Sequence, residues 1–199
     1  MISKGHRIAR VANISSDVDI TSCFGYNGNK KGEFCFRVKE KIIDASIESL
    51  RQEGLRFSVD VLANRLRISK KTIYRIFPNK EALAFALYEK YYADAVMKAG
   101  SIISSGLPSV RESLLRLYFD SKMMTRRDIF NKYKLNELLS AYASEQSDSL
   151  WKIVYSAFYC EANARHEAAT RTIVDGAFEK LCNDGASPDY VIERLAAIL

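Results

Sequence analysis

The sequence predicts an all-α fold of about nine helices. Apolar residues recur at intervals of three and four through most of residues 38–198, and Ser, Thr or Asn precedes several of these runs as a possible N-cap. No interior segment has a convincing strand pattern. The 199 residues, 48% hydrophobic and 27% charged, suffice for one or two domains with a proper core.

The most informative segment is residues 58–80, which predicts two short helices joined by a tight turn. Ser58 can cap the first helix and Ser69 the second. The first helix has one apolar stripe, formed by Val59, Leu62, Ala63 and Leu66. The second has one apolar side, formed by Ile73, Ile76 and Phe77. At 100° per residue, Lys71 and Arg75 point almost directly away from that side, so the core face and the outward face are separate.

This arrangement is typical of a helix-turn-helix, whose second helix enters the major groove of DNA and needs donors and cations on its exposed side. The second helix supplies them with Lys70, Lys71, Thr72, Tyr74 and Arg75. Pro78 ends this helix and Asn79 can cap the next. Lys80, in the first turn of that next helix, opposes the macrodipole, which a bound phosphate would explain. Two capped helices with solvated cations nevertheless occur in many all-helical proteins.

The flanking residues make the pattern more specific. From Val38 to about Leu87 the sequence resembles the N-terminal domain of TetR-family transcriptional regulators. The matching residues are Ile42, Ile43, Ala45, Ile47 and Leu50 with terminal Gly54, then Phe57-Ser58-Val59, Ser69-Lys70-Lys71-Thr72-Ile73-Tyr74 and Phe77-Pro78-Asn79-Lys80-Glu81-Ala82-Leu83. The resemblance implies that Lys70, Lys71, Thr72 and Arg75 approach bases. It implies that Ser58, Tyr74 and Lys80 hold phosphates.

One residue departs from this family pattern. Arg67 occupies a turn position where the family usually has glycine, and a left-handed φ costs a residue with a Cβ roughly 1 kcal/mol. Arginine therefore either adopts the strained conformation or changes the turn. A phosphate contact by Arg67 could offset the cost, or the turn could simply be strained.

Charge is distributed unevenly along the chain. Residues 1–80 contain 16 Lys and Arg against 8 Asp and Glu, whereas residues 81–199 contain 14 against 16. The basic half is the half with the helix-turn-helix, which suits attraction to a polyanion. Taken alone, an excess of charge is more often a solvated surface.

Catalytic and metal-binding patterns are lacking. Cys23, Cys35, Cys160 and Cys182 form no Cys-x-x-Cys pair and stand near no histidine at metal spacing, so we expect no metal, no cofactor and no enzyme activity. No apolar run approaches the roughly 18 residues that span a membrane, and no signal peptide is evident. We therefore expect a cytoplasmic protein that does not bind membranes.

Residues 1–36 are rich in Gly, Ser and Asn and predict a flexible N-terminal extension. Its basic residues could touch DNA as an arm, although an extension without function is the better expectation.

The remaining helices are predicted from their capping residues and apolar runs. Their expected bounds are Lys80 to Met97, with a break at Gly100; Val110 to Met123, capped by Ser109 with Glu112; Thr125 to Ala143; Ser147 or Ser149 to Ala162; His166 to Cys182; and Pro188 to Ile198.

Aromatic residues are frequent in this half of the chain. Such a cluster can line a pocket for an apolar or cationic ligand, although core packing is the commoner role of each ring. The candidate lining residues are Tyr92, Phe119, Tyr133, Trp151 and Tyr155. Apolar stripes on the last two helices, which could serve a dimer interface or the subunit's own core, comprise Ile173, Val174, Ala177, Phe178, Leu181, Val191, Leu195 and Ile198.

The expected domains are an extension (1–36), a three-helix helix-turn-helix DNA-binding domain (37–84) and a helical ligand-binding and dimerisation domain (85–199). The expected function is that of a DNA-binding transcriptional regulator, a repressor that binds a palindromic operator of double-stranded DNA as a homodimer and responds to a small-molecule effector. The alternatives are a protein-interaction module that has lost DNA binding and a nucleic-acid-binding subunit of a recombinase-type enzyme. The DNA-contacting set would comprise Ser58, Arg67, Lys70, Lys71, Thr72, Tyr74, Arg75 and Lys80.

Overall fold

The computed structural model describes residues 30–54, 57–125, 136–159, 164–184 and 187–199. These residues form eight α-helices, and no strand occurs among them. The helices are α1 (Lys30–Glu53), α2 (Val59–Leu66), α3 (Lys70–Ile76), α4 (Lys80–Ser104), α5 (Val110–Met124), α6 (Asn136–Phe158), α7 (Ala164–Asp184) and α8 (Pro188–Ile198). The expected all-α class and the three N-terminal helices are confirmed.

The first three helices pack around one apolar cluster. Ile42 and Leu50 of α1, Leu62 of α2 and Ile73 of α3 are almost completely buried in it. Helix α1 ends as expected before Gly54, which has a positive φ of 64°. The helix begins at Lys30, however, inside the segment that composition predicted to be loop.

Helix α4 continues past the expected break at Gly100 and ends at Ser104. A glycine inside a helix costs only about 1 kcal/mol, and the burial of Ala99 beside it fixes this part of α4 against the C-terminal helices. The chain leaves the helix at Gly106, whose φ of 60° is the conformation that glycine favours.

Helix α6 also runs through a predicted boundary. The expected break between Ala143 and Ser147 is wrong, because Ala143, Ser147 and Leu150 are all buried at helical spacing and belong to one packed face. Ser149 does not cap a helix, since its hydroxyl donates to the carbonyl of Glu145 one turn earlier. The described ranges contain eight helices, and residues 126–135, where the predicted helix from Thr125 begins, lie outside them.

Two other capping predictions can be compared with the structure. Helix α5 has the expected bounds within one residue, yet Ser109 makes no side-chain capping hydrogen bond. Helix α8 begins as expected at Pro188, a residue that suits the first turn because it lacks an N–H.

The apolar residues of α7 and α8 that could form a dimer interface lie partly in the subunit's core and partly on its surface. Val174, Phe178, Leu181 and Leu195 are buried in a second apolar cluster, which α4 to α8 share. The alternative of burial within one subunit is therefore correct for these four side chains. Ile173 and Ile198 are exposed, by 58% and 79%, and Ala177 and Val191 are half-buried.

The first cluster extends beyond the expected domain border at residue 84. It includes Leu87 and Tyr92 of α4, Met124 of α5 and Leu139 of α6, so the helix-turn-helix packs directly on the C-terminal helices. None of the eight helices combines the length and the apolar character that crossing a membrane would require.

Phe178 provides a test of this assignment, because its ring meets Phe119 edge to face with the centroids 5.3 Å apart. We expect Phe178→Ala to lower the free energy of unfolding by about 3 to 5 kcal/mol in urea denaturation. Ile173→Ala, on the exposed side of the same helix, should change it by about 0.5 kcal/mol or less. Equal losses for the two variants would contradict the core position of Phe178.

Candidate nucleic-acid interface

The turn between α2 and α3 keeps the left-handed conformation despite its arginine. Arg67 has φ 54° and ψ 40°, and its N–H donates to the carbonyl of Asn64 at 3.1 Å. The N–H of Ile68 donates to the carbonyl of Ala63 at 3.0 Å. This pair of hydrogen bonds closes the C-terminus of α2 as a glycine would, so the arginine carries the strain and leaves the turn unchanged.

Helix α3 begins at the N-cap that the sequence predicted. The Ser69 hydroxyl accepts a hydrogen bond from the N–H of Thr72 at 3.0 Å and lies 2.8 Å from the Thr72 hydroxyl. Ile73 and Ile76 are buried on the inner side of α3, where they join the first cluster. The cap fixes where the helix starts, and the two isoleucines fix its rotation about its own axis.

The outward side of α3 carries the polar residues. Lys71, Tyr74 and Arg75 are exposed, Tyr74 by 41%. All three project from a helix of seven residues whose opposite side is buried, so they form one continuous donor-rich surface.

Lys70 and Thr72, both predicted to contact bases, make contacts within the protein. The Lys70 ammonium lies 2.5 Å from a carboxylate oxygen of Asp60 on α2. The hydrogen bond that the Lys70 ammonium donates to Asp60 raises the pKa of Lys70. Thr72 is half-buried and engaged with Ser69. Asp60 is exposed on α2, and no i, i+3 or i, i+4 spacing in the sequence predicts its pairing with Lys70 on the next helix.

Lys80 has a structural role that the sequence did not indicate. Its ammonium donates to the carbonyl of Phe57 at 2.6 Å and lies 4.5 Å from the centre of the Phe57 ring. Burial lowers the pKa of Lys80, and the negative charge of Glu53 acts in the opposite direction. Lys80 thus fastens the start of α4 to the residue before the cap of α2, which accounts for a lysine in a first helical turn.

The predicted caps of α2 and α4 are present as well. Asn79 accepts a hydrogen bond from the N–H of Ala82 at 2.7 Å. Ser58 accepts one from the N–H of Val61 at a long 3.5 Å. A hydroxyl that accepts in this way can still donate its own proton to a phosphate oxygen.

The predicted ligand-lining residues lie in the core. Tyr92, Phe119, Trp151 and Tyr155 are all buried, and Tyr133 lies outside the described residues. Trp151 and Tyr155 are neighbours with ring centroids 6.1 Å apart, whereas Phe119 packs on Phe178 of α7. The described residues include no group of three or more His, Cys, Asp or Glu side chains that could hold a metal ion.

This part of the chain is similar to known proteins. Residues 42–87 match the family model described as Bacterial regulatory proteins, tetR family. The structure of the fatty acid degradation regulator FadR from Bacillus halodurans aligns with a TM-score of 0.56 and 16% identity over 80% of this chain and 96% of that one. A transcriptional regulator of the TetR/AcrR family from Thermobifida fusca aligns with a TM-score of 0.48 and 20% identity over 81% and 96%. Among curated proteins, none matches.

The strain at Arg67 can be measured by two substitutions at that position. Arg67→Gly should be more stable than Arg67→Ala by about 1 kcal/mol in chemical denaturation, because both variants lack the guanidinium and only alanine keeps the Cβ at positive φ. Gly106→Ala, at φ 60°, should lose a similar amount. Equal stabilities of the two Arg67 variants would show that the turn is not strained.

Proposed function

We propose, from the premise that residues 42–87 form a DNA-binding domain of the tetR family, that this protein is a transcriptional regulator that binds double-stranded DNA through α2 and α3. We propose further that it acts as a homodimer, represses transcription and responds to a small-molecule effector. The first proposal rests on the two different sides of α3. Ile73 and Ile76 are buried on its inner side. The exposed residues on its outward side are Lys71, Tyr74 and Arg75.

The contacts of each residue suggest how the DNA-binding roles divide. Lys71 and Arg75 stand on the outward side of α3 and would read base edges in the major groove. Lys70 would contact DNA only after releasing Asp60, and Thr72 would contribute its hydroxyl while it remains beside Ser69.

Phosphates would be held at the margins of this surface. Tyr74 and Arg67 are exposed and can reach outward, and Ser58 retains a hydroxyl proton to donate. Lys80 makes a hydrogen bond to Phe57 and can donate others, since an ammonium has three N–H groups. Its charge, held near the start of α4, would add to the free backbone N–H groups there.

The geometry of DNA supports the dimer proposal, because one such module covers a half-site and the two modules of a dimer would lie about 34 to 36 Å apart. The exposed side of α7 is a candidate interface. Ile173 is 58% exposed there, and a Cβ added at Gly176 would meet nothing within 4 Å in the same subunit. A second copy of α7 could therefore approach this side closely.

Effector binding could reach the DNA-binding helices through an ion pair between α1 and α5. The Arg51 guanidinium lies 2.7 Å from a carboxylate oxygen of Asp120, which also accepts a hydrogen bond from Tyr91 of α4 at 3.0 Å. A ligand that moves α4 relative to α5 would thus alter a contact of α1.

DNA recognition is tested on a duplex enriched from a random library by the wild-type protein. We expect Lys71→Ala and Arg75→Ala each to weaken binding to this duplex by about 1 to 3 kcal/mol while changing binding to random duplex less. Lys80→Ala should weaken both alike, with a shallower slope of log K against log salt.

Lys152→Ala serves as the control, because Lys152 is exposed on α6 and remote from α3 in the chain; its affinities should match those of the wild type. Equal losses of Lys71→Ala on enriched and random duplex would reassign that residue to phosphate. Failure of the wild type to bind any duplex in a salt-dependent way would exclude the DNA-binding proposal and favour a protein-interaction module.

The dimer proposal is tested with two exposed apolar residues. Ile173→Glu on α7 should give folded monomers in sedimentation, whereas Met97→Glu on α4, at a residue 66% exposed, should leave the dimer intact. The reverse result would place the interface on α4. A monomeric wild type at micromolar concentration would contradict dimerisation altogether.

A further inference from the structure

Asp60 is the one acidic residue in the helix-turn-helix segment. Residues 58–80 contain six Lys and Arg side chains, and Asp60 is their single Asp or Glu. The side chain is exposed on α2, beside the surface proposed to bind DNA. A carboxylate there repels the phosphates of a duplex and lowers the affinity for every sequence, so its presence calls for a second effect.

Asp60 pairs with a cation at the edge of the outward surface of α3. Its carboxylate oxygen lies 2.5 Å from the Lys70 ammonium, and the two side chains are 65% and 47% exposed. Lys70 begins α3 and stands one turn before Tyr74, which is exposed on the outward side. The hydrogen bond to Asp60 is the main cause of the raised pKa of Lys70, and Tyr74 adds to the rise. The ion pair therefore lies next to residues that would face DNA.

A purely structural role is the alternative explanation of this pair. Lys70 and Lys71 both oppose the dipole of α3, whose first turn contains no acidic residue, and Asp60 would offset their charge. An exposed ion pair adds little to stability, however, because solvent screens it and two flexible side chains must keep one geometry. Asp60 also suits the dipole of α2 in its first turn, but that effect needs no contact with Lys70.

The pair has a definite consequence for DNA binding. Non-specific affinity comes from cations that neutralise phosphates and release counterions. A lysine held by a carboxylate of its own protein must first leave that partner, so it contributes less to this affinity. Specific binding depends in addition on hydrogen bonds to base edges, which Lys71 and Arg75 would make. Restraining Lys70 therefore lowers binding to random sequences more than binding to an operator.

We propose that Asp60 is a specificity-determining residue, which lowers the affinity for random DNA by withholding the Lys70 ammonium from phosphates. This inference rests on the DNA binding proposed above and gives a role to a residue outside the expected DNA-contacting set. The carboxylate acts through Lys70 and need not touch DNA itself.

Asp60→Asn tests the proposal, because asparagine keeps the shape of the side chain and removes its charge. We expect this variant to bind random duplex about five- to tenfold more tightly at about 0.1 M salt, with a slope of log K against log salt that is steeper by about 1. Affinity for the enriched duplex should rise by about twofold or less, so the ratio of the two affinities falls.

Glu193→Gln is the matched control, since it removes one negative charge from an exposed position on α8, remote from α3 in the chain. Both of its affinities should equal those of the wild type. A gain like that of Asp60→Asn would show that net charge alone is responsible, and it would contradict the proposal.

A double-mutant cycle shows whether the effect passes through Lys70. The gain from Asp60→Asn on random duplex should be at least about threefold smaller when Lys70 is already alanine. In that background the salt slope should not steepen, because no cation is released to a phosphate. Simple removal of a repulsive charge would instead give the same gain with and without Lys70.

The pairing can also be measured without DNA. In an NMR titration of the Lys70 side-chain amine, Asp60→Asn should show a lower pKa than the wild type, because the main cause of the raised pKa is gone. The variant should remain helical by circular dichroism, with a Tm within about 3 °C of the wild-type value.

Several results would overturn the proposal: unchanged or weaker binding of random duplex by Asp60→Asn, an equal gain in the Lys70→Ala background, or an unchanged pKa of Lys70. A large loss of Tm with weaker binding of both duplexes would assign Asp60 to the structural role. A wild type that binds no duplex in a salt-dependent way would refute the regulator proposal as well. If the wild type binds and Asp60→Asn matches it, this inference alone fails.

Discussion

Helix α4 must complete two apolar clusters at once, because its first half packs on the helix-turn-helix and its second half on the C-terminal helices. Leu83, Leu87 and Tyr88 are buried in the first cluster, and Ala95 and Ala99 in the second. The change from large to small side chains allows close approach of the helices in the second half. An unbroken α4 is therefore a condition for both clusters, and the two parts of the protein cannot pack independently of it.

Polar contacts around α4 help to fix the relative positions of the helices that the apolar clusters bring together. Lys90 of α4 pairs with Glu40 of α1 at 3.0 Å, and Tyr91 shares Asp120 with Arg51. Partly exposed ion pairs contribute at most about 1 kcal/mol each, so they add little to stability. Their value is geometric, because each is satisfied at only one relative position of α1, α4 and α5.

The sequence predicted the N-terminal helices well because their ends are determined locally. Ser69, Asn79 and Gly54 each fix a helix end by their own hydrogen bonds or backbone freedom, and the structure has helix ends at all three. The same kind of signal failed at Gly100 and Ser147, where burial against other helices outweighs a local preference of about 1 kcal/mol.

Contacts between residues that are distant in the sequence could not be predicted from local sequence patterns. The anchoring of Lys80 to Phe57, 23 residues away, and the positions of Val174 and Phe178 in the core depend on which helices meet. A stripe of apolar residues indicates that a helix has a buried side. It does not say whether the covering surface belongs to the same subunit or to another.

The contact between Lys80 and Phe57 has a mechanical consequence. It joins the start of α4 to the entry of α2, so tilting of α4 would carry the helix-turn-helix with it as one body. A helix of 25 residues is about 37 Å long, and a tilt of about 5° at one end displaces the other by about 3 Å. That displacement is close to the rise of one base pair. A change in side-chain packing far along α4 could thus move α3 out of register with the bases it faces.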